Sequence, residues 1–294
     1  MKTFIEQLIN GLSLGSIYAL IALGYTMVYG IMKLINFAHG DIYMVGAFTG
    51  FFASTTLHLG FIPSLLLAML VSTIFGVTIE RIAYRPLRGK SKISILITAI
   101  GVSLFLENSG IILFTPRTRT YPQIFKQHVY SLLNGYVTIS NQQIVIFVVS
   151  IIMMVGLQFI IYKTKIGKAM RAVSLDPDAA KLMGVNVDNT VSFTFAIGSA
   201  LAAVAGVLVG IYYNSIDPLM GIMPGLKAFI AAVLGGIGII PGAMVGGLLM
   251  GVIEAMVSGY GSSLYRDGVA FALLIIILII KPAGLFGKNI REKV

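Results

Sequence analysis

Long uncharged runs limit what this chain can become more than any other feature. Stretches free of Asp, Glu, Lys and Arg fall at 7–32, 42–57, 60–79, 93–106, 144–162, 191–213, 228–253 and 268–280. A helix needs about 20 largely apolar residues to cross a bilayer, and several of these runs meet that outright. The 93–106 run is expected to extend through Glu107 to Phe114. The chain is 57% hydrophobic and only 11% charged, where a soluble domain is about a quarter charged. The expected fold is therefore an all-α membrane protein, a polytopic helical bundle of about 8–9 transmembrane helices with interrupted segments. Residues 1–294 form one domain on this reading. The 228–253 run carries Gly235, Gly236, Gly238 and Pro241-Gly242 in its middle. Splitting it by a turn gives nine crossings, and reading part of it as re-entrant gives eight.

A formal net charge of +10 would suggest nucleic acid in a soluble protein. Here the basic residues sit between apolar runs, so orientation and anionic membrane lipid explain them, with no nucleic acid partner. Three segments hold 14 of the 21 basic residues. They are 81–92, then 163–181, then the tail with Lys281, Lys288, Arg291 and Lys293. An even number of spans separates each from the next, which places all three on the cytoplasmic side. The C-terminus is then cytoplasmic, the 115–142 loop faces outward, and the N-terminus lies outside. The first run is too long for a signal-peptide core, so it is expected to stay in the mature chain. Zero Cys excludes disulfides and thiolate chemistry.

Residues 163–190 are the longest clearly polar stretch. Within them Asp176, Pro177, Asp178, Ala179, Ala180, Lys181, Leu182, Met183 and Gly184 read as one short helix. Asp176 suits the N-cap, Pro177 the first turn, and Gly184 a left-handed stop. A helix of about two turns is not stable alone and needs a partner to dock against.

Two segments look like interrupted helices. In Met32–Gly46 the polar residues Lys33, Asn36, His39, Gly40 and Asp41 break apolar sequence; Met223–Gly238 opens with Pro224 and Gly225 and contains Lys227. Irregular backbone at membrane depth survives only when buried in protein or facing a watery cavity, and paired breaks point to a substrate path. The plainer reading makes 33–41 a cytoplasmic turn, with His39 and Asp41 an interfacial pair capping a helix. Glu107 and Glu254 are the deepest acids, with either a transport role or a structural partner such as Lys227. Small residues at Gly198, Ala202, Gly206 and Gly210, and at Gly247, Gly251 and Ala255, suit close helix packing, within the chain or against a second membrane subunit. The intramembrane charges Lys33, Glu107, Lys227 and Glu254 show no i, i+3 or i+4 pairing. The chain alone is therefore expected to bind a zwitterion only weakly.

No catalytic motif appears. Gly89-Lys90-Ser91 lacks the earlier Gly of a phosphate-binding loop, and no G-x-S-x-G, H-E-x-x-H or close His cluster is present. Cofactors, metals and an ATP site of its own are accordingly not expected.

Asn36-Phe37-Ala38-His39-Gly40-Asp41, continuing through Met44 to Phe48, resembles the N-terminal hallmark of LivH-type permeases, the branched-chain amino acid permeases of ABC importers. The resemblance continues through Arg81–Arg88, Lys165–Ala172 and Pro282–Gly287, covering nearly the whole chain. Asp178-Ala179-Ala180 and Gly184 resemble the importer loop that inserts into the ATPase. They depart from it in having Asp for Glu, and Thr194–Ile197 read Thr-Phe-Ala-Ile where Ile-x-Leu-Pro is expected. The resemblance implies a second permease subunit of similar type, two cytoplasmic ABC ATPase subunits and an extracytoplasmic solute-binding protein, in the cell inner membrane. Related permeases move urea, amides or other small polar solutes. An ion-coupled secondary transporter is the competing reading, and it leaves the short 176–184 helix without a purpose.

Overall fold

The computed structural model describes residues 2–126, 128–132 and 137–287. The basic tail positions Lys288, Arg291 and Lys293 lie outside the described residues. Eleven α-helices are described: α1 Lys2–Met32, α2 His39–Thr55, α3 Phe61–Ile79, α4 Lys92–Phe114, α5 Asn141–Lys163, α6 Lys165–Leu175, α7 Pro177–Leu182, α8 Val187–Tyr213, α9 Ile222–Gly235, α10 Ile240–Tyr260 and α11 Arg266–Ile280. Among the described residues, seven helical stretches are long and apolar enough to cross a membrane. The chain is a multi-pass helical membrane protein. Helix α4 runs through Glu107 to Phe114, as the sequence suggested.

The ends of these helices are set by local chemistry. Ser91 caps α4 by accepting from the Ser94 N–H, and Ser140 with Gln143 forms a reciprocal capping box on α5. Asn186 caps α8, which stops at Asn214 in the left-handed conformation. Helices α1 and α8 form the buried centre, while α3, α4, α5 and α11 present broad apolar faces outward. Small residues let α1 and α10 touch backbone to backbone. A Cβ on Gly251 would meet the Gly15 N at 2.2 Å, and one on Gly247 would meet the Ala19 Cα at 2.4 Å. On α8, Gly206 approaches the Tyr43 carbonyl of α2 as closely. Both small-residue series thus pack within the chain.

Two membrane helices are short. At about 1.5 Å per residue, the 17 residues of α2 and the 14 of α9 span about 25 and 21 Å, less than the roughly 30 Å of bilayer hydrocarbon. Helix α2 starts beside Gly198, near the middle of α8, with His39 against Gly24 of α1. It runs to the end of the bundle where strand β1 (Arg119–Thr120) pairs with β4 (Ser215–Ile216); β2 (Val129–Leu132) and β3 (Val137–Ser140) pair in the loop between α4 and α5. Helix α9 starts against α2 and runs the opposite way, ending where Leu285 and Phe286 donate to the Leu234 and Gly235 carbonyls. The two short helices therefore meet at their N-termini. A Cβ on Gly40 would lie 2.5 Å from the Gly221 carbonyl oxygen, and one on Gly221 2.2 Å from that of Gly40.

The second segment breaks at its Gly236–Gly238 end, where the 228–253 run was expected to split, and not at Pro224-Gly225. Pro224 and Gly225 lie inside the first turn of α9, where a missing N–H is no loss. The irregular backbone is 214–221 ahead of that helix and 236–239 behind it. The latter holds Gly236 and Gly238 at φ 106° and 92° and splits the 228–253 run into α9 and α10.

The basic segments gather at one end. Arg85 and Arg88 both pair with Asp188 at the start of α8, and Arg88 also pairs with the buried Glu80. Ser192 donates to the other Glu80 oxygen, and the Tyr84 hydroxyl donates to Asn36 Oδ1 at 2.7 Å. A polar chain thus ties the base of α8 to the 33–38 break through a π-helical turn at Glu80–Tyr84.

Candidate functional site

The meeting point of α2 and α9 encloses a cavity of about 140 Å³. Four helices contribute. Tyr25 comes from α1, Gly40 and Asp41 from the first turn of α2, Ser103 and Glu107 from successive turns of α4, and Gly221, Ile222, Gly225 and Leu226 from the start of α9. Phe37, in the break before α2, closes one side. The wall is part apolar and part acidic. Asp41 is 3% exposed, and its Oδ2 accepts from the Ser103 hydroxyl at 2.6 Å. The N-termini of α2 and α9 both carry partial positive charge toward this point, which suits anionic groups.

Of the residues expected to border a path, the structure brings Gly40, Asp41, Glu107 and Gly225 together here. The others lie apart. Asn36 is held by Tyr84. His39 is wedged between Gly24 and Gly198, with its ring edge-on to Tyr25 at 4.7 Å. Neither His39 nor Asp41 is an interfacial capping residue. Both are buried, and the N-cap position of α2, Ala38, has no side-chain cap bond. Pro224 does not line the cavity. Lys227 and Glu254 form a separate ion cluster. Lys227 Nζ lies 2.9 Å from Glu254 and 2.7 Å from Asp267, while the Tyr18 hydroxyl donates to Glu254 Oε2 at 2.8 Å. Lys227 is paired with Glu254, a partner the sequence had offered for it.

Tyr25, Ser103, Gly221 and Ile222 had not been anticipated, whereas Phe37 and Leu226 fall inside the two segments expected to be interrupted. Ser103 precedes Glu107 by four positions and so shares its helix face, a readable signal. Tyr25 has no such mark.

The short polar helix forms as its residues dictate. Asp176 Oδ1 accepts from the N–H groups of Asp178 and Ala179, and Pro177 occupies the first turn. Gly184 holds φ 83° with nothing within reach of an added Cβ. Ala180 is buried, while Asp178, Ala179 and Lys181 are exposed. Leu182 and Met183 are 89% and 84% exposed at the tip of this segment.

Two short opposed helices meeting around a partly acidic cavity, inside a bundle of spanning helices, are the frame of a multi-pass membrane transport protein. Residues 7–278 match the family model described as branched-chain amino acid transport system / permease component, and the chain belongs to that family. It is similar to BraD, the high-affinity branched-chain amino acid transport system permease protein of Pseudomonas aeruginosa. That likeness is 47% identity over 302 residues, covering 99% of this chain and 98% of BraD. The protein LivH of Salmonella typhimurium, which carries the same description, is 46% identical over 301 residues at the same coverage. Among solved structures, PsaBC from Streptococcus pneumoniae in complex with Fab shares the fold at a TM-score of 0.50 and 15% identity. The match covers 94% of this chain and 92% of that one.

Proposed function

We propose that the chain is the membrane-spanning permease subunit of an ATP-driven ABC importer that carries leucine, isoleucine and valine across the cell inner membrane. The match to permeases of this transport class over 99% of the chain carries the reading. It works with a second permease subunit of similar type, two cytoplasmic ABC ATPases and an extracytoplasmic solute-binding protein. ATP is bound and hydrolysed by those ATPases and not by this chain. The end holding Arg85, Arg88 and Lys281 faces the cytoplasm together with the C-terminus, in keeping with the positive-inside rule.

Helix α7 is the part of the chain that meets an ATPase. Two apolar side chains held in water at the tip of a six-residue helix are uncovered surface that a partner removes from solvent. The 176–184 segment passes directly into α8, so a push there moves a central helix. The cavity at Asp41 and Glu107 lies on the path the solute takes.

The assembled transporter in proteoliposomes is expected to take up labelled leucine, isoleucine and valine only with ATP and the loaded binding protein. Uptake of urea or amides in their place would reassign the substrate. Uptake by this chain alone on a sodium or proton gradient would overturn the reading.

A further inference from the structure

The cavity between α1, α2, α4 and α9 is charged in one sense only. Asp41 and Glu107 line it, and no Lys or Arg is among its described lining residues. Tyr25 adds a second, independent sign. It is 5% exposed, its hydroxyl sits beside Gly225, and that hydroxyl has no hydrogen-bond partner among the described residues. The side chain is almost wholly buried and its hydroxyl opens into the cavity, where it is free to bond a polar guest. The remaining walls, Phe37, Ile222 and Leu226, are apolar.

We propose that this cavity is a transient subsite for the ammonium group of the permeating amino acid, resting on the importer reading above. An ammonium group has three N–H donors and no acceptor. Asp41, Glu107 and the Tyr25 oxygen supply three acceptors from three different helices. The aliphatic side chain lies against Phe37, Ile222 and Leu226, and the carboxylate faces the partial positive charge at the start of α9. No basic side chain closes the carboxylate end, so the guest is held by one charged end and released easily.

The chain has no Cys, so Ser103→Cys gives a single thiol in the cavity. In the full transporter it should react with a cationic aminoethyl methanethiosulfonate faster than with an anionic sulfonatoethyl one by about tenfold or more, as charge-lined clefts do. Adding Glu107→Gln should shrink that preference. Millimolar leucine and leucinamide should slow the reaction, and 4-methylpentanoate, which has the carbon skeleton without the ammonium, should not. Equal protection by 4-methylpentanoate, or by none of the three, would overturn the proposal. Protection by sodium or potassium as good as that by leucinamide would assign the site to an inorganic cation and overturn it too. Glu107→Gln alone supplies a second measurement: maximal leucine flux should fall while ATP hydrolysis stimulated by the loaded binding protein persists. Unchanged flux would count against the subsite. Absent flux in the unmodified transporter would instead fail the importer reading.

Discussion

Removing Glu254 separates a structural ion cluster from a transport residue. Its side chain is 2% exposed and accepts from Lys227, itself 6% exposed, and from the Tyr18 hydroxyl. Glu254→Ala strands a buried ammonium, which costs about 3–5 kcal/mol. The orphaned Tyr18 hydroxyl pulls the value up. Asp267 pulls it down by keeping one contact to Lys227, but its side chain is 52% exposed and such a pair contributes about 1 kcal/mol at most. At about 2 °C per kcal/mol for a chain of this size, the melting point should drop by about 6–10 °C. Heating the detergent-purified protein and following its monodisperse fraction by size-exclusion chromatography reads this directly. The paired change Lys227→Met with Glu254→Leu removes both buried charges and should recover most of the loss, because buried pairs are replaced by apolar groups at little net cost and the partners left behind, Arg266 and Asp267, are 31% and 52% exposed. That double variant should also transport. If it is as stable as the parent yet fails to move leucine, the cluster lies on the path and the structural reading is wrong.

Gly221→Ala should abolish a stable bundle, since the new methyl meets the Gly40 carbonyl oxygen at 2.2 Å, while Gly101→Ala, with nothing within 4 Å, should leave the elution profile unchanged. Gly184→Val forces a β-branched residue to φ 83°, a local cost of about 1–2 kcal/mol; membrane insertion should persist while ATP-driven uptake falls. Arg88→Ala leaves the fully buried Glu80 with Ser192 as its remaining partner and should cost about 3–5 kcal/mol by thermal shift, with Glu80→Gln milder.

What could be read from the sequence was local. The 176–184 helix needs only its own residues, an oxygen at Asp176, a ring at Pro177 and a glycine at 184, and it forms as those residues require. The first break showed itself because polar residues at 33–41 interrupt apolar sequence. The glycines at 235, 236 and 238 marked the split between α9 and α10 correctly, while Pro224-Gly225 only looks like a breaker, since proline in a first helical turn forfeits no bond. The other irregular stretch, 214–221 around the short strand β4, is marked mainly by Asp217 and Pro218. The cavity itself was not legible. Asp41 and Ser103 are 62 positions apart, and their meeting depends on how α2 and α4 pack. Tyr25 is one of 13 tyrosines, and only the fold leaves its hydroxyl without a partner.

The contact between Gly40 and Gly221 also sets a clock on assembly. About 180 residues separate them, so at about 5–20 residues per second α2 is made roughly 10–40 s before the backbone it abuts. Through that interval the start of α2 sits inside the membrane with its natural neighbour not yet synthesised. Water, the insertion machinery or a neighbouring helix must shelter its amides until α9 arrives. A nascent chain stalled before residue 222 is therefore exposed in a way that one stalled after residue 235 is not, and the membrane's quality-control proteases have that window in which to act.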